Sequence, residues 1–498
     1  MVTPLLTVSQ LRALEQAAAS DLAPGALMQR AGQRAAVWIH DRYGQQTLQV
    51  AVLCGPGNNG GDGYVCASEL ARLGHRVRCV ALAPARATDA IAAAQDWTTR
   101  HGVPADQLDA APVDLAIDAL FGIGLQRPLD GAYAQAAAWL RACRERGTLV
   151  IALDVPSGLD ADTGSWVGNV EGVAADATLT FLAAKPGLYT GDGIDACGDV
   201  VLDNLDVHAA ATDNSDAVGA GALNSPASFP ALHAPRARSS HKGSFGNVAI
   251  VGGNTGMVGA ALLAGRAALR LGAGRVYVDC IGAPDLHVDP LQPELMFRAG
   301  IDTALLRAMQ AIVVGCGLGT DAAARAAVEA AVTADCPVVL DADALNLIAA
   351  IAAVNRAARR PANAARVMTP HPLEAARLLE TTVDAVQCDR IAATRALARR
   401  FNAWMVLKGA GSVIAAPDAR YWINPTGTPA LATAGTGDVL AGMLGALLAQ
   451  GHAAQDAVLG AVWLHGRAAD RFPGDVGLVA GEVAALAATE LNALRQAR

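Results

Sequence analysis

The sequence predicts an α/β protein made of two three-layer αβα domains, and three observations carry this prediction. Short apolar runs alternate with alanine-rich stretches of helical spacing along most of the 498 residues, a pattern typical of parallel sheets covered by helices on both faces. A segment at residues 213–240 has no sustained periodicity and divides the chain. Oxygen-rich segments directly follow several apolar runs, which is where open parallel sheets bind ligands.

The first half contains four apolar runs that we predict to be buried strands: "LQVAVLC", "RVRCVALA", "DLAIDAL" and "LVIALDV". The first run is followed by the loop "GPGNNGGDGY", and "YVCASELARLG" then has the spacing of a helix. Amides of such a loop can approach a phosphate closely. A tight turn also explains glycines, but a turn does not need the clustered side chains of Asn58, Asn59 and Asp62.

Two further strand ends in the first half carry oxygen ligands. Asp118 lies at the end of the third apolar run, and Asp154 and Ser157 follow the fourth. A single Asp in such a place is more often a helix cap or turn residue. Three oxygen-rich strand ends that face one crevice favour a ligand site instead. Oxygen ligands without histidine or thiolate indicate a hard cation rather than zinc.

The predicted linker at residues 213–240 is rich in Ala, Ser, Pro, Gly and Asn, and it separates a domain at 1–212 from a domain at 241–498. The second half again has apolar runs that we predict to be strands of a parallel sheet: "NVAIVGG", "RVYVDCI", "AIVVGCG", "PVVLDAD", "RVMTP" and "WMVLKG".

The strongest chemical signal of the second half is "ALATAGTGDVLAGMLGALLA". Gly435, Thr436 and Gly437 stand at the start of a helix, and Asp438 occupies its first turn. Amides at a helix N-terminus stabilise developing phosphoryl charge, and the carboxylate can accept a proton from an attacking hydroxyl. The alternative is an Asp that only caps the helix.

Charge and cysteine usage exclude several classes of protein. Lys and Arg number 38 against 46 Asp and Glu, a net charge of -8, which argues against nonspecific binding of nucleic acid. The nine cysteines form no CxxC pair, so we expect reduced thiols rather than disulfides or a zinc site. We find no export signal and no membrane-spanning stretch, and expect a cytoplasmic protein without a membrane partner.

The motifs of the first half resemble the Rossmann-like epimerase domain of the bifunctional NAD(P)H-hydrate repair enzymes. The matching segments are "PGNNGGDG", the Asp before "FGIG", "DVPSGLD" and "KPGLY". The resemblance implies a potassium ion held by Asn59, Asp118 and Ser157. It implies that the hydrated dinucleotide is bound by Asn58, Asn59, Gly60, Gly61, Asp62, Gly122, Ile123, Gly124, Leu125, Gln126, Arg127, Pro128 and Asp154.

The chemistry of the implied substrate suits these side chains. Water has added at C6 beside the ring nitrogen, so the hydroxyl can leave as the nitrogen lone pair forms a double bond, and water can return on the opposite face. Such an inversion needs an acid and base near C6. We expect Asp154 to take this role, with Asp62 as a second candidate.

The motifs of the second half resemble the ribokinase-like superfamily and, within it, the ADP-dependent dehydratase domain of the same repair enzymes. The matching segments are "SHKGSFG", "LDADAL", "TPHP", "LKGAG" and "GTGDVLAG". The resemblance implies Mg²⁺ brought with ADP, and Asp438 as the catalytic base. It implies nucleotide contacts from Lys408, Gly409, Ala410, Gly411, Ser412 and Gly437, and hydrate contacts from Ala260, Gly317, His371 and Asp438.

The chain departs from the resembled pattern at Cys316, Leu373 and Ala434 without losing a proposed polar group. We therefore expect an enzyme that epimerises the R and S hydrates of NADH and NADPH and dehydrates the S form, converting ADP to AMP and phosphate. The expected partners are the hydrates, ADP and further copies of this chain. The alternatives are a small-molecule kinase fused to a Rossmann-like module and a first half that only binds. The choices between ADP and ATP and between the two hydrates stay open.

Overall fold

The computed structural model describes residues 2–108, 111–207, 221–300, 306–359 and 364–496. The chain divides into two compact units, Pro4–Ser215 and Asp216–Arg498, the latter together with Met1–Thr3. Each unit has its own sheet and its own buried core.

The N-terminal unit is built on a sheet of six described strands, in which every neighbouring pair is parallel. The four predicted strands are confirmed. The sequence analysis missed the last two, one of which is threonine-rich while the other carries an Asp at each end. Across the sheet the order is Arg76–Ala81, Gln49–Cys54, Leu115–Ala119, Leu149–Leu153, Ala177–Phe181 and Asp199–Asp203.

Helices cover both faces of this sheet, as the fold class requires. Val50 and Val52 pack into one apolar cluster, and the alternate residues Ala51 and Leu53 pack into another on the opposite face. The three helices from 26 to 101 bury residues in the first cluster, and the helix from 131 to 145 does so in the second. The helices are Val8–Ser20, Ala26–Tyr43, Asn58–Arg72, Thr88–His101, Gly131–Glu145 and the short Gly193–Ala196.

The glycine-rich segment after the first strand is helical from Asn58, earlier than we predicted, so most of it is not a loop. Its glycines allow close packing of the first helical turns. A Cβ atom at Gly60 would lie 1.8 Å from the carbonyl oxygen of Gly55, and one at Gly63 would lie 2.6 Å from the Cβ of Ala119. Both positions therefore exclude any side chain.

The C-terminal unit has a sheet that is parallel through its centre and antiparallel near one edge. All six predicted strands are confirmed, but the purely parallel sheet is wrong at Trp404–Leu407 and Val413–Ala415, which pair antiparallel. The five residues between them are too few for a parallel crossover. The order is Gly221–Leu223, Tyr421–Ile423, Val413–Ala415, Trp404–Leu407, Arg366–Met368, Val338–Leu340, Ala311–Val314, Asn247–Gly252, Arg275–Cys280 and Met296–Phe297.

The core of this unit lies mainly where two helices, Val258–Arg270 and Thr436–Ala449, cover one face of the sheet. Two other helices, Ala322–Val332 and Arg390–Phe401, also pack on strands of the sheet. Their buried residues do not belong to this main core. The remaining helices are Asp343–Ala350, Ala352–Ala358, Pro372–Leu379, Val383–Cys388, Ala454–Asp470 and Ala480–Gln496. Among the described helices, none combines the length and apolar character needed to cross a membrane.

The segment predicted as a linker belongs in part to the C-terminal unit. Gly221–Leu223 is a strand of its sheet, and Phe229 and Leu232 are fully buried in its core. Short 3-10 turns connect them, so neither a helical nor a strand period is visible in the sequence. Residues 213–220 of the predicted linker lie outside the described residues.

The nine cysteines are all unpaired thiols, in agreement with the sequence analysis. Seven of them are buried in the cores of the two units.

Candidate active sites

The N-terminal unit contains a cavity of about 720 Å³ at the carboxyl ends of its strands. Asn58, Asn59, Asp62, Asp154 and the segment Gly122–Leu125 line it, as the sequence predicts. The lining also includes five charged residues to which the sequence analysis gave no role: Arg12, Glu15, Arg86, Asp89 and Lys185.

Asp154 lines this cavity, and several contacts hold its carboxylate in place. Its backbone has a φ of 69°, a left-handed conformation that is uncommon for Asp. Its Oδ1 lies 2.8 Å from Nζ of Lys185, a side chain that is only 2% exposed. The amide of Ile123 donates to the other oxygen, Oδ2, at 3.4 Å. The carboxylate is thus held from both sides and faces the cavity.

Asp62 and Glu15 add two more carboxyl groups to the same cavity. Burial, and then the negative charges of Asp154 and Glu15, raise the pKa of Asp62 well above its usual value. Burial and the charge of Asp154 also raise the pKa of Glu15, against the opposing effect of Arg12 and Lys185. Carboxyl groups this close, with few cations beside them, favour retention of a proton in the cavity at neutral pH.

Asp118 and Ser157, two of the predicted cation ligands, contact each other directly. Ser157 donates to Asp118 through its backbone amide and its hydroxyl, both at 2.7 Å. Asp118 is fully buried, which raises its pKa to about 6. The third predicted ligand, Asn59, is buried, and neither its Oδ1 nor its Nδ2 has a hydrogen-bond partner. A buried amide without partners is the kind of group that a bound ion would satisfy.

Five of the residues predicted to bind the dinucleotide do not line the cavity: Gly60, Gly61, Gln126, Arg127 and Pro128. Gly60 and Gly61 are buried in the first turn of their helix, where they allow close packing. A contact between any of the five and the substrate stays a prediction.

The C-terminal unit brings Asp438 together with Asp341 and Cys316, whose potential ligand atoms all lie within 4.8 Å of one another. Nζ of Lys408 contacts Oδ1 of Asp341 at 2.7 Å, and the hydroxyl of Thr369 donates to the same oxygen at 2.7 Å. Asp438 lies in the first turn of its helix, and the other four side chains follow strand ends, so the predicted base lies in a dense polar cluster.

The predicted glycine at the helix start faces this cluster. A Cβ atom at Gly437 would lie 3.4 Å from Nζ of Lys408 and 3.8 Å from Oδ2 of Asp341. The helix Thr436–Ala449 begins after Gly435, which has a φ of 95°. Its first amides therefore point toward the space beside Asp438, where they can hold a phosphate.

Ionisation within the cluster is set by burial and by neighbouring charges. Burial, followed by the charge of Asp341, raises the pKa of Asp438 to about 6, although the Cys316 thiol and Lys408 act in the opposite direction. Burial disfavours the charge of Lys408, but Asp341 and Glu374 outweigh it and raise the pKa of that ammonium. Lys408 thus stays charged at neutral pH, while Asp438 is poised to exchange a proton.

His371 caps the helix Pro372–Leu379, a role that was not predicted from the sequence. Its Nδ1 accepts from the amides of Leu373 at 3.1 Å and Glu374 at 3.3 Å. Burial, followed by the charge of Lys408, lowers the pKa of His371, so the ring is neutral at pH 7. Its side chain is 47% exposed, and the substrate contact stays a prediction.

The other predicted residues of this unit lie in two places. Ala260 and Gly317 are neighbours, since a Cβ atom at Gly317 would lie 3.0 Å from the Cβ of Ala260. The predicted nucleotide segment 408–412 joins two antiparallel strands, and two of its glycines, Gly409 and Gly411, have positive φ. The hydroxyl of Ser412 donates back to the carbonyl oxygen of Gly409 at 2.9 Å.

Several site residues had no role in the sequence analysis: Glu15, Lys185, Asp341, Thr369 and Glu374. A signal existed for some of them. Lys185 stands in "KPGLY" and Asp341 in "LDADAL", two segments that were noted only as family motifs. The rule that polar residues after a strand carry the chemistry also applies to Asp341 and Thr369.

Both halves of the chain match known families. The family described as NAD(P)H-hydrate dehydratase matches residues 248–491, and the family described as YjeF-related protein N-terminus matches residues 24–187. A bifunctional NAD(P)H-hydrate repair enzyme Nnr from Coxiella burnetii is 36% identical over 97% of this chain and 98% of its own.

Relatives of the second half alone are also found. An ADP-dependent (S)-NAD(P)H-hydrate dehydratase from Neisseria meningitidis is 44% identical over 51% of this chain and 87% of its own. Among solved structures, an ADP/ATP-dependent NAD(P)H-hydrate dehydratase from Bacillus subtilis is 32% identical over 53% of this chain and 97% of its own, with a TM-score of 0.47.

Proposed function

This chain belongs to the family of bifunctional NAD(P)H-hydrate repair enzymes, and from this membership we propose that it carries out both of the family's reactions. The N-terminal unit interconverts the R and S hydrates of NADH and NADPH. The C-terminal unit dehydrates the S form and converts ADP to AMP and phosphate. One observation supports both assignments: each unit holds a carboxyl group of raised pKa, Asp62 or Asp438, in a polar cluster at the carboxyl ends of its strands.

The epimerase reaction breaks and remakes one C–O bond. The hydroxyl at C6 leaves with a proton from the enzyme while the ring nitrogen forms a double bond to C6. A water molecule then adds to the other face and gives a proton back to the enzyme. The carboxyl groups of Asp154 and Asp62 both line the cavity in which this exchange takes place.

The dehydratase reaction activates the same hydroxyl by phosphorylation. Asp438 accepts the hydroxyl proton as the oxygen attacks the β-phosphorus of ADP, and AMP departs. Amides at the start of helix Thr436–Ala449 and the ammonium of Lys408 offset the charge that develops on the phosphoryl group. Phosphate then leaves C6 as the nitrogen lone pair forms the double bond, and loss of a ring proton gives NAD(P)H.

The test is an assay of the full chain with mixed hydrate epimers and ADP, followed by absorbance of the reduced nicotinamide. Complete conversion of both epimers supports the proposal. Conversion of one epimer alone would leave only the dehydratase, and phosphorylation of an unrelated alcohol would favour the small-molecule kinase. Parallel runs with ATP and with each hydrate decide the two substrate preferences that the sequence analysis left open.

We propose that Asn59, Asp118 and Ser157 bind a potassium ion. The unpartnered amide of Asn59 fits this role, and all three side chains offer oxygen. When bound, the ion supplies positive charge beside the buried Asp118 carboxyl group. We expect epimerisation to fall when potassium is replaced by lithium, while dehydration of the S form is unchanged.

The potassium site can be located by thallium replacement and anomalous scattering, with Asp118→Asn as the variant that lowers occupancy. The exposed Asp41→Asn of the same unit serves as the matched control. A transition metal that displaces potassium from these three residues at equal concentration would contradict the assignment.

Magnesium fits the C-terminal cluster only in company with the nucleotide. Asp341 and Asp438 offer the oxygen ligands that Mg²⁺ prefers, but Lys408 already contacts one oxygen of Asp341, and Cys316 offers sulfur. We therefore propose that Mg²⁺ arrives bound to the phosphates of ADP, next to Lys408 and the segment up to Ser412. Its contribution is to neutralise phosphate charge.

The dehydration rate is expected to fall in acid because Asp438 must be ionised to accept a proton. Its pKa is raised to about 6, so the rate is full well above pH 6 and declines roughly tenfold for each pH unit below it. The thiol of Cys316 stabilises the ionised form, so Cys316→Ala should move this decline to higher pH. A pH profile of single-turnover dehydration checks both statements; an unchanged profile in Cys316→Ala would contradict the second.

We also propose a cellular location, an oligomeric state and a domain junction for this protein. The protein acts in the cytoplasm, forms homo-oligomers, and joins its domains within residues 213–240. Size-exclusion chromatography with light scattering tests the second, and limited proteolysis near the junction tests the third.

A further inference from the structure

Lys185 has an unusual environment for a lysine, since the residue is only 1% exposed. Its ammonium donates to the hydroxyl of Thr180 at 2.7 Å and to the carbonyl oxygen of Phe181 at 2.9 Å. A third, longer bond reaches the carbonyl oxygen of Ala183 at 3.4 Å. These acceptors surround the ammonium and fix its position. The ammonium also forms an ion pair with one carboxylate.

That partner is Oδ1 of Asp154, at 2.8 Å. A buried ammonium without a carboxylate would be unstable, and a carboxylate beside a fixed ammonium is stabilised in its ionised form. The same contact helps to hold Asp154 in its left-handed backbone conformation. Lys185 therefore holds the Asp154 carboxylate in a fixed direction and places a positive charge beside it.

Asp62 has a different environment within the same cavity. The charges that act on it come from Asp154 and Glu15, and both are negative. The cations that act on these carboxyls are Arg12, which influences Glu15, and Lys185, which contacts Asp154 and also influences Glu15. Two further charged residues, Arg86 and Asp89, line the same cavity. The ammonium contacts Asp154 and not Asp62, so Asp62 is the carboxyl group that holds the proton retained in this cavity.

We infer that Lys185 is a positioning residue that divides the roles of the two carboxyl groups, making Asp154 the base and leaving Asp62 as the acid of epimerisation. This inference rests on the proposed epimerase function and goes beyond it, because the proposed function does not say which carboxyl group does what.

The resulting step balances. Asp62 gives its proton to the C6 hydroxyl, the C–O bond breaks, and the ring nitrogen forms a double bond to C6. Water adds on the opposite face and loses a proton to Asp154. One proton has moved from Asp62 to Asp154, and exchange with solvent, favoured by the ammonium of Lys185, returns the starting state.

The experiment is a pH profile of epimerisation for Lys185→Met in the full chain. Without the ammonium, Asp154 loses the opposite charge that lies 2.8 Å from it and keeps Glu15 as a negative neighbour. A nearby opposite charge favours the ionised form of a carboxyl group, so the acidic limb of the profile should move to higher pH, with activity partly recovered at high pH. A residue needed only for folding would lower the rate equally at every pH.

Arg76→Met, which removes an exposed cation from the same unit, is the matched control. Dehydration of the S hydrate by each variant reports that the C-terminal unit is intact, and thermal unfolding of each variant reports on the N-terminal unit. An acidic limb in Lys185→Met that coincides with that of the unaltered protein overturns the inference. Absence of epimerisation in the unaltered protein would instead refute the proposed function.

Lys185→Met removes a fully buried charge, so a second pair of variants keeps the test decisive if it does not fold. The residual epimerisation of Asp62→Asn should keep the acidic limb, because the base is intact, and should lose the alkaline limb. Asp154→Asn should lose the acidic limb. The reverse pattern would make Asp62 the base and overturn the inference.

Discussion

Asp438→Asn is expected to lower ADP-dependent dehydration by at least ~100-fold, the lower range for removal of a general base, and to leave epimerisation unchanged. The amide keeps the shape of the side chain, but it cannot accept the proton of the attacking hydroxyl. Lys408 and the helix amides near Gly437 remain in place, so binding of ADP should be largely retained. The expected loss therefore falls on the rate of the chemical step.

Single-turnover dehydration of the S hydrate measures this rate, and calorimetry with ADP measures binding separately. Asp384→Asn, an exposed carboxyl of the same unit, is the matched control and should behave like the unaltered protein. Dehydration by Asp438→Asn at a near-normal rate would show that another group takes the proton. Asp341, within the same cluster, would then be the next candidate.

The sequence was sufficient for the central strands of both sheets because each is a short, mostly apolar run between helical segments. It also predicted that Asp154 and Asp62 lie at one edge of the sheet, since residues after such strands meet there, and that Asp438 lies in the first turn of a helix. The structure places the first two in one cavity and the third at a helix start, and their catalytic roles stay predictions.

Other features depend on contacts that no local pattern records. Lys185 is linked to Asp154 through a fold in which separate strand ends meet, and its spacing in the sequence does not reveal the partner. The antiparallel strand Val413–Ala415 has only three residues, too few to show a period. Phe229 and Leu232 lie among short turns, so their burial is apparent only from the packed core.

The helix that begins at Asn58 shows that a glycine-rich motif alone does not distinguish a loop from a closely packed helix. Clustered glycines were interpreted as a phosphate-binding loop, yet the structure shows that Gly60 and Gly63 are required for close packing of a helix. The functional signal came from the side chains between them, Asn59 and Asp62, which face a buried site and the cavity.

Asp154→Asn and Asp62→Asn are each expected to stall conversion of the R hydrate while the S hydrate is dehydrated normally. In a mixed-epimer assay with excess dehydratase activity, the fast phase should be unchanged and the second phase should slow by at least ~100-fold, toward the uncatalysed inversion. Asn tolerates the left-handed backbone of residue 154, so Asp154→Asn keeps the local backbone conformation, while it removes both the proton acceptor and the charge that faces Lys185.

The two variants distinguish three mechanisms, with Asp41→Asn as the exposed control. Slow second phases in both fit an acid and a base on opposite faces of the ring. A slow second phase in Asp154→Asn alone would mean that Asp154 acts twice, and Asp62 would lose its role. If both variants complete the second phase at the rate of the unaltered protein, neither carboxyl group moves the proton. The cavity that they line would then bind the hydrated dinucleotide without inverting it, unless another acidic side chain acts. Besides these two, the described lining offers only Glu15 and Asp89. The activity of Glu15→Gln would decide whether a catalytic carboxyl group is present at all.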